Sequence, residues 1–239
     1  NKSDAVTAVS QSLKDDTLRL FNIKKDISVV TNFIDLSKFN HGFTDCQRAM
    51  MANDHEKIIT HISNFREVKR IPDVINIFYN VQKELPAKLM MVGEGPEREP
   101  AEQLCRKLGI SDKVVFFGNS NEIDRILCFS DLFLLPSETE SFGLSALEAM
   151  ASEVPVISSN TGGIPEVNEN HFSGFLSNVG DVEAMSKNAI KLLKDESLLN
   201  KFKLNARAQA EKFDIHNIVP QYEAIYEETL KSCMHTQKA

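Results

Sequence analysis

The feature that most constrains this chain is a series of short, almost wholly apolar runs set between helical patterns. Leu89-Met90-Met91-Val92, Val114-Val115-Phe116-Phe117 and Leu132-Phe133-Leu134-Leu135 contain no polar residue. A strand of that kind needs cover on both faces, and such strands belong to parallel sheets sandwiched by helices. Strands are expected at 5–10, 27–31, 57–62, 88–92, 113–117, 131–135 and 154–158. Between them, Ile71, Val74, Ile75, Phe78 and Val81 recur at three- and four-residue spacing, the mark of one buried helix face. A helix over 97–108 ends at Gly109, a residue suited to a helix stop. Leu144, Leu147 and Ala151 mark another helix. Beyond Asp181, which suits an N-cap, the pattern is almost entirely helical. Ile218, Tyr222, Ile225, Tyr226 and Leu230 share a face of the last helix. Strand–helix alternation with short links predicts right-handed βαβ units and a doubly wound, Rossmann-like α/β fold.

Composition narrows the function classes. The chain has 239 residues, 42% apolar and 26% charged, which suits a globular protein with a sizeable core rather than a disordered one. Its net charge is 27 − 34 = −7, which argues against a non-specific nucleic-acid binder. No apolar run approaches the roughly 18 residues of a membrane span. The amino end, Asn1-Lys2-Ser3-Asp4, has no initiator Met and no signal-type apolar stretch, so a cytoplasmic piece of a longer protein is expected. Cys46, Cys105, Cys128 and Cys233 are scattered without a C-x-x-C pair, and reduced, structural thiols are expected. Residues 36–56, with Gly42 and Asn53, lose strand character and read as a linker. The expected organisation is 1–36 as the remnant of an amino-terminal domain, too short to hold a core alone. Residues 37–239 follow as one domain with a sheet starting at Lys57, and 216–232 as a helix that packs back on the first part or within its own domain.

Ligands of open α/β sheets sit beyond the strand carboxyl ends, which selects four segments. Ser63-Asn64-Phe65-Arg66-Glu67-Val68-Lys69-Arg70 puts three cations into five residues before a helix. That arrangement suits a phosphate, although a solvated basic turn explains it too. Gly93-Glu94-Gly95-Pro96 permits close backbone approach of a ligand, or is a plain tight turn. The segment from Pro136 to Ala151 is the most informative. It carries Glu138 and Glu140, then a small-residue turn from Ser141 to Ser145 whose N–H groups suit a diphosphate. Glu148 is the only charge from Ser141 to Ala151. A carboxylate there needs a partner or solvent, and vicinal ribose hydroxyls are good donors to it. The plainer alternatives are a first-turn acid for Glu140 and an exposed helix residue for Glu148. The fourth segment, Ser158-Ser159-Asn160-Thr161-Gly162-Gly163-Ile164-Pro165-Glu166, again runs strand, loop, helix.

Together and in this order, these segments resemble the carboxyl-terminal half of retaining GT-B glycosyltransferases of the GT4 type. The resemblance rests on Lys69, Gly93-Glu94-Gly95-Pro96, Val115 to Gly118, Asp131 to Ser137, the Glu140-x₇-Glu148 spacing around Ser141-Phe142-Gly143-Leu144, and Gly162 to Glu166. Ala5 to Ser10, Thr31 to Asp35 and His61 to Arg70 further resemble members that transfer N-acetylglucosamine from UDP-N-acetylglucosamine to L-malate in bacillithiol biosynthesis. The resemblance implies that this half binds the nucleotide-sugar donor. It implies that Glu148 holds the ribose and Lys69 neutralises the diphosphate. Glu140, Ser141, Phe142, Gly143 and Leu144 would hold sugar and phosphates, and Gly118 and Asn119 would border the uracil. Asn64, Arg66, Gly93 and Gly95 complete the expected donor site, with Glu140 and Lys69 as its catalytic pair. Many relatives carry Arg where this chain has Asn64, and Arg66 is the candidate replacement.

The acceptor site is expected on an amino-terminal domain that this chain does not span. None of His41, His55, His61, His171, His216 or His235 stands in the family's histidine context, so all are read as ordinary. No D-x-D pair occurs, in keeping with metal-independent transfer stabilised by fixed positive charge. No nucleophile emerges, which favours a front-face route. The expectation is a hexosyltransferase half that binds donor without turnover by itself, with no cofactor, nucleic acid or membrane partner and with homo-oligomerisation open. The alternatives are a UDP-N-acetylglucosamine 2-epimerase and a non-catalytic nucleotide-sugar-binding module.

Overall fold

The structure is a computed structural model describing residues 3–39 and 48–236. His41, Gly42, Cys46 and the side chain of His235 lie outside the described residues. The chain opens with strand β1 (Thr7–Ala8), helix α1 (Gln11–Leu20) and strand β2 (Ser28–Val29), and the two strands pair in parallel. Only two residues of each expected strand pair, because this ladder has no further strand among the described residues to extend it. Ile34 then pairs with Asp214, and its side chain joins the core of the large layer.

The large layer is a six-stranded parallel sheet. Its strands are β3 (Lys57–Ile62), β4 (Ala87–Val92), β5 (Val114–Gly118), β6 (Leu132–Leu135), β7 (Val156–Ser159) and β8 (Gly174–Ser177), in spatial order β5-β4-β3-β6-β7-β8. The expected strands from 57 onward are present with ends shifted by a residue or two. β8 was not foreseen. It is only four residues long, starts on glycine, and is held as an edge by its ladder to β7.

The helices explain why the apolar runs are continuous. Ile59, Leu89, Leu132, Leu134 and Ile157 face α2 (Ile71–Gln82) and α7 (Val182–Lys194). Phe133, Leu135 and Val156 face α5 (Leu144–Ala151) and α8 (Glu196–Glu211) on the other side. Adjacent strand residues therefore enter opposite cores, and both are buried from solvent. Each fully buried aliphatic side chain contributes about 1.5–3 kcal/mol, so a polar residue anywhere in Leu132–Leu135 would be costly. The remaining helices are α3 (Arg98–Leu108), α4 (Ile123–Cys128), α6 (Ile164–Val167) and α9 (Ile215–Thr236).

The face of α9 is divided. Ile218 is buried, while the Tyr222 hydroxyl donates to Val30 O at 3.0 Å and its ring meets Phe33 edge-on. Tyr226 and Leu230 are exposed. Part of the helix thus rests on residues 30–33. Cys105, which is buried, and Cys233 are free thiols.

Glycines mark where backbone meets backbone. Gly93 has φ 125°, and a Cβ there would lie 1.8 Å from Ser63 O. Gly93→Ala should lower stability by about 2 kcal/mol or more, from combined overlap and positive-φ strain. Gly109, at φ 69° with nothing within 4 Å of a Cβ, should lose only about 1 kcal/mol as Ala. Urea midpoints of the two variants check this ranking.

Candidate functional site

Strands β3 and β6 are neighbours although two strands intervene in sequence, so the sheet order reverses between them. Such a switch point opens a crevice at the carboxyl ends. The loop after β3 and the loop after β6 meet there. Lys69, ending a short 3₁₀ turn (Glu67–Lys69), forms an ion pair with Glu140 of the other loop. Their side chains are only 19% and 13% exposed. Ser137 Oγ donates to the same Glu140 oxygen at 3.0 Å, and Glu138 N donates to Val68 O at 2.8 Å. The structure therefore joins Lys69 to Glu140 across the switch point. Glu140 is not a first-turn acid, since α5 begins only at Leu144.

The three cations of the basic turn have separate fates. Lys69 pairs with Glu140, and Arg70 pairs with Asp73 at 2.6 Å. Arg66 is exposed and has no ion-pair partner among the described residues. Asn64 is also exposed on this loop. Gly95, like Gly93, packs against the loop: a Cβ on it would lie 2.2 Å from Asn64 O. Gly118 O accepts Gly93 N at 2.8 Å, which brings the end of β5 beside the same loop, and Asn119 is exposed next to it.

The loop into α5 is shaped by two more glycines. A Cβ on Gly162 would lie 2.0 Å from Glu140 O, and one on Gly163 would lie 2.3 Å from Ser141 O. Gly163 N also donates to Glu140 O at 2.9 Å. The carbonyls of Glu140 and Ser141 are thus turned toward Gly162-Gly163. Gly143 caps α5 at φ 98°. The N–H groups of Phe142, Gly143 and Leu144 have no acceptor among the described residues. Free N–H groups at a helix start favour an anion.

Glu148 lies one turn into α5. It is half-buried rather than exposed, and its carboxylate has no hydrogen bond or ion pair among the described residues. Burial alone pushes its pKa up to about 7. It has no hydrogen bond or ion pair to Lys69 or Glu140. What links it to them is the continuous stretch from Ser137 into α5.

Two contributors escaped sequence reasoning. His61 reads as ordinary and is a structural core histidine; what escaped is that it ties the end of β3 to Ser63 of the following loop. It is fully buried, with Nδ1 2.8 Å from Leu134 O and Nε2 2.8 Å from Ser63 Oγ. A carbonyl only accepts, so Nδ1 carries the proton and Nε2 accepts from Ser63. Burial, together with the Lys69 charge, lowers its pKa to about 4, against the opposing pull of Leu134 O. The imidazole is therefore a neutral brace for the loop. The signal was the two-residue spacing of His61 and Ser63 across a strand end. The second contributor, Glu166, accepts N–H bonds from Gln11 and Ser12 at 2.8 and 2.9 Å. Nothing local in the sequence signals that.

The raised pKa of Glu148 has a stability consequence. Between its ordinary 4.5 and its folded value of about 7, the folded chain holds a proton that the unfolded chain has released. Stability contributed at this site is therefore lost as pH rises through that window, then levels off. Glu148→Gln should be more stable than the parent at about pH 8 and little different at about pH 4. Urea midpoints at the two pH values test it, and a gap independent of pH would contradict it.

The sequence matches the family described as Glycosyl transferases group 1 over residues 46–209. It is 45% identical over 232 residues to N-acetyl-alpha-D-glucosaminyl L-malate synthase of Bacillus anthracis, covering 96% of this chain and 61% of that protein. It is 29% identical over 234 residues to an uncharacterized glycosyltransferase of Methanocaldococcus jannaschii, covering 94% of this chain and 60% of that one. The fold matches Anabaena Alr3699/HepE, solved with UDP and glucose, at TM-score 0.89 and 22% identity, over 95% of this chain and 64% of that chain. It matches sucrose-phosphate synthase of Thermosynechococcus elongatus at TM-score 0.87 and 22% identity, over 97% of this chain and 59% of that chain. The chain thus spans less than two thirds of the length of these relatives. The structural neighbours are GT-B glycosyltransferases, and the six-stranded parallel sheet is the Rossmann-like layer they share with it. No helix among the described residues is long and apolar enough to cross a membrane. With a family match across most of its length and a parallel sheet whose switch point presents the expected loops, the chain belongs to the glycosyl transferases group 1 family.

Proposed function

We propose that this chain is the donor-binding part of a transferase that moves N-acetylglucosamine from UDP-N-acetylglucosamine to L-malate, with retention of configuration. The observation that carries this reading is the 45% identity to N-acetyl-alpha-D-glucosaminyl L-malate synthase across 96% of the chain. Three observations support it: a lysine ion-paired at the β3–β6 switch point, N–H groups at the start of α5 without an acceptor among the described residues, and a half-buried carboxylate one turn into that helix.

In this reading Glu148 accepts hydrogen bonds from the ribose hydroxyls, and Gly118 and Asn119 border the uracil. Lys69, Arg66 and the N–H groups of Ser141, Phe142, Gly143 and Leu144 hold the diphosphate. Asn64, Gly93 and Gly95 shape the opposite wall. Glu140, now paired with Lys69, releases it to the diphosphate and turns to the sugar. As the bond from C1 to the phosphate oxygen breaks, its electron pair leaves with UDP, and these fixed charges and dipoles stabilise it without a metal. The acceptor hydroxyl oxygen bonds to C1 from the same face, and its proton passes to the departing phosphate oxygen. In this reading the acceptor site lies on a further, amino-terminal domain outside this chain, which covers 61% of N-acetyl-alpha-D-glucosaminyl L-malate synthase. Residues 37–239 bind donor, residues 1–36 belong to the amino-terminal domain, and the chain by itself turns nothing over in the cytoplasm.

Calorimetry with UDP and UDP-N-acetylglucosamine, beside ADP- and GDP-sugars, tests the donor. Loss of one charge-assisted contact costs about 1.5–3 kcal/mol, so Glu148→Ala and Lys69→Ala should each weaken UDP binding by about 10- to 150-fold. Binding unchanged in both variants would rule out this site. A carboxylate that receives hydroxyl hydrogen bonds must be ionised. UDP affinity of the parent should therefore rise as pH passes through about 7 and stay flatter in Glu148→Gln. Joining the missing domain and following the product by NMR separates transfer from 2-epimerisation and from binding without chemistry.

A further inference from the structure

Helix α1 is held in an unusual way. It buries no side chain, and Leu18, Leu20 and the following Phe21 are exposed. Its attachment is at its amino end. Ser10, fully buried, caps the helix by accepting Leu13 N at 3.0 Å, and its hydroxyl donates to Ser141 O at 2.6 Å. Glu166 uses one carboxylate oxygen for Gln11 N and the other for Ser12 N, at 2.8 and 2.9 Å. Lys14 N reaches Ser10 O at 3.1 Å. All the otherwise unpaired N–H groups of the first turn are thus satisfied, two of them by a residue 154 and 155 positions away.

Both anchors lie on the loop that leads into α5 or on the segment packed against it. Ser141 is the second residue of the Glu140–Leu144 loop. Glu166 follows Gly162-Gly163, whose backbone presses on the carbonyls of Glu140 and Ser141. A trans peptide is planar, so its C=O and its N–H point in opposite directions. Ser10 holds Ser141 O, and this fixes where Phe142 N–H points. Gly163 N holds Glu140 O, and this fixes where Ser141 N–H points.

We propose that Ser10 and Glu166 are positioning residues of the diphosphate cradle: they dock α1 on the Glu140–Leu144 loop and aim its N–H groups, so that docking of the amino-terminal segment and binding of a nucleoside diphosphate are linked. This inference rests on the donor reading of that loop. Linkage is reciprocal. Whatever loosens α1 weakens nucleotide binding, and nucleotide binding tightens α1. In a longer protein, the same contacts would let the placement of the amino-terminal part report on donor occupancy.

The test uses the chain with UDP as probe. Calorimetric affinity is measured for the parent, Ser10→Ala and Glu166→Ala, with amide hydrogen exchange of residues 11–20 followed with and without UDP. Each substitution should weaken UDP binding by about 5- to 20-fold. UDP should slow exchange at Gln11, Ser12 and Leu13 in the parent, and this protection should vanish in Glu166→Ala. A purely structural cap would change exchange equally with and without UDP. If the parent binds UDP, but both variants bind it equally well and UDP leaves α1 exchange unchanged, the linkage is overturned while the donor site stands. If the parent does not bind UDP, the donor reading falls and this inference falls with it. Unfolding midpoints show whether each variant is folded. Should Ser10→Ala fail to fold, Glu166→Ala and the exchange pattern of the parent still decide.

Discussion

Strands β3 and β6 run side by side in the middle of the sheet, with Ile59 opposite Leu132 and Thr60 opposite Phe133. Everything at the site depends on that pairing. It ends two loops from distant parts of the sequence at one rim, and it leaves no other strand between them. Lys69 and Glu140 are 71 positions apart, and no local rule would bring them together. The pairing holds because both faces of the sheet are covered. It is further fixed by buried Asp131, which accepts Ile58 N at 2.8 Å and Arg48 at 2.8 Å.

The rim is built on backbone more than on side chains. Gly93 and Gly95 press on the loop after β3, and Gly162 and Gly163 press on the loop after β6. These contacts turn carbonyls inward and leave N–H groups unpaired at the start of α5. The arrangement costs hydrogen bonds, and an anion would supply them. Glu148 shows the same unfinished character. Desolvation with no partner among the described residues raises its pKa. His61 shows the contrasting case, a buried titratable group with both nitrogens satisfied and a structural task.

Much of this was legible beforehand, and the reasons are physical. Continuous apolar runs reported a parallel sheet because burial on both faces excludes polar residues at either parity. Gly-Gly and Gly-x-Gly pairs after strands read as room for a ligand or as tight turns; the structure packs them against the backbone of Ser63, Asn64, Glu140 and Ser141, a contact the sequence did not announce. The β8 strand was invisible because four residues starting with glycine carry no periodic pattern. The division of the basic turn among Glu140, Asp73 and solvent was equally invisible, since neighbouring cations look alike in a sequence.

The amino acid order by itself determined the layer architecture, the rim segments and the candidate residues on them, since these follow from hydrophobic period and from the backbone demands of glycine. Only the tertiary structure decided which of those residues meet. The Lys69–Glu140 pair, the bond from Ser10 to Ser141 and the hold of Glu166 on α1 all join positions tens to more than a hundred residues apart. Such contacts are set by where folded strands end, and chain order alone carries no information about distance between ends.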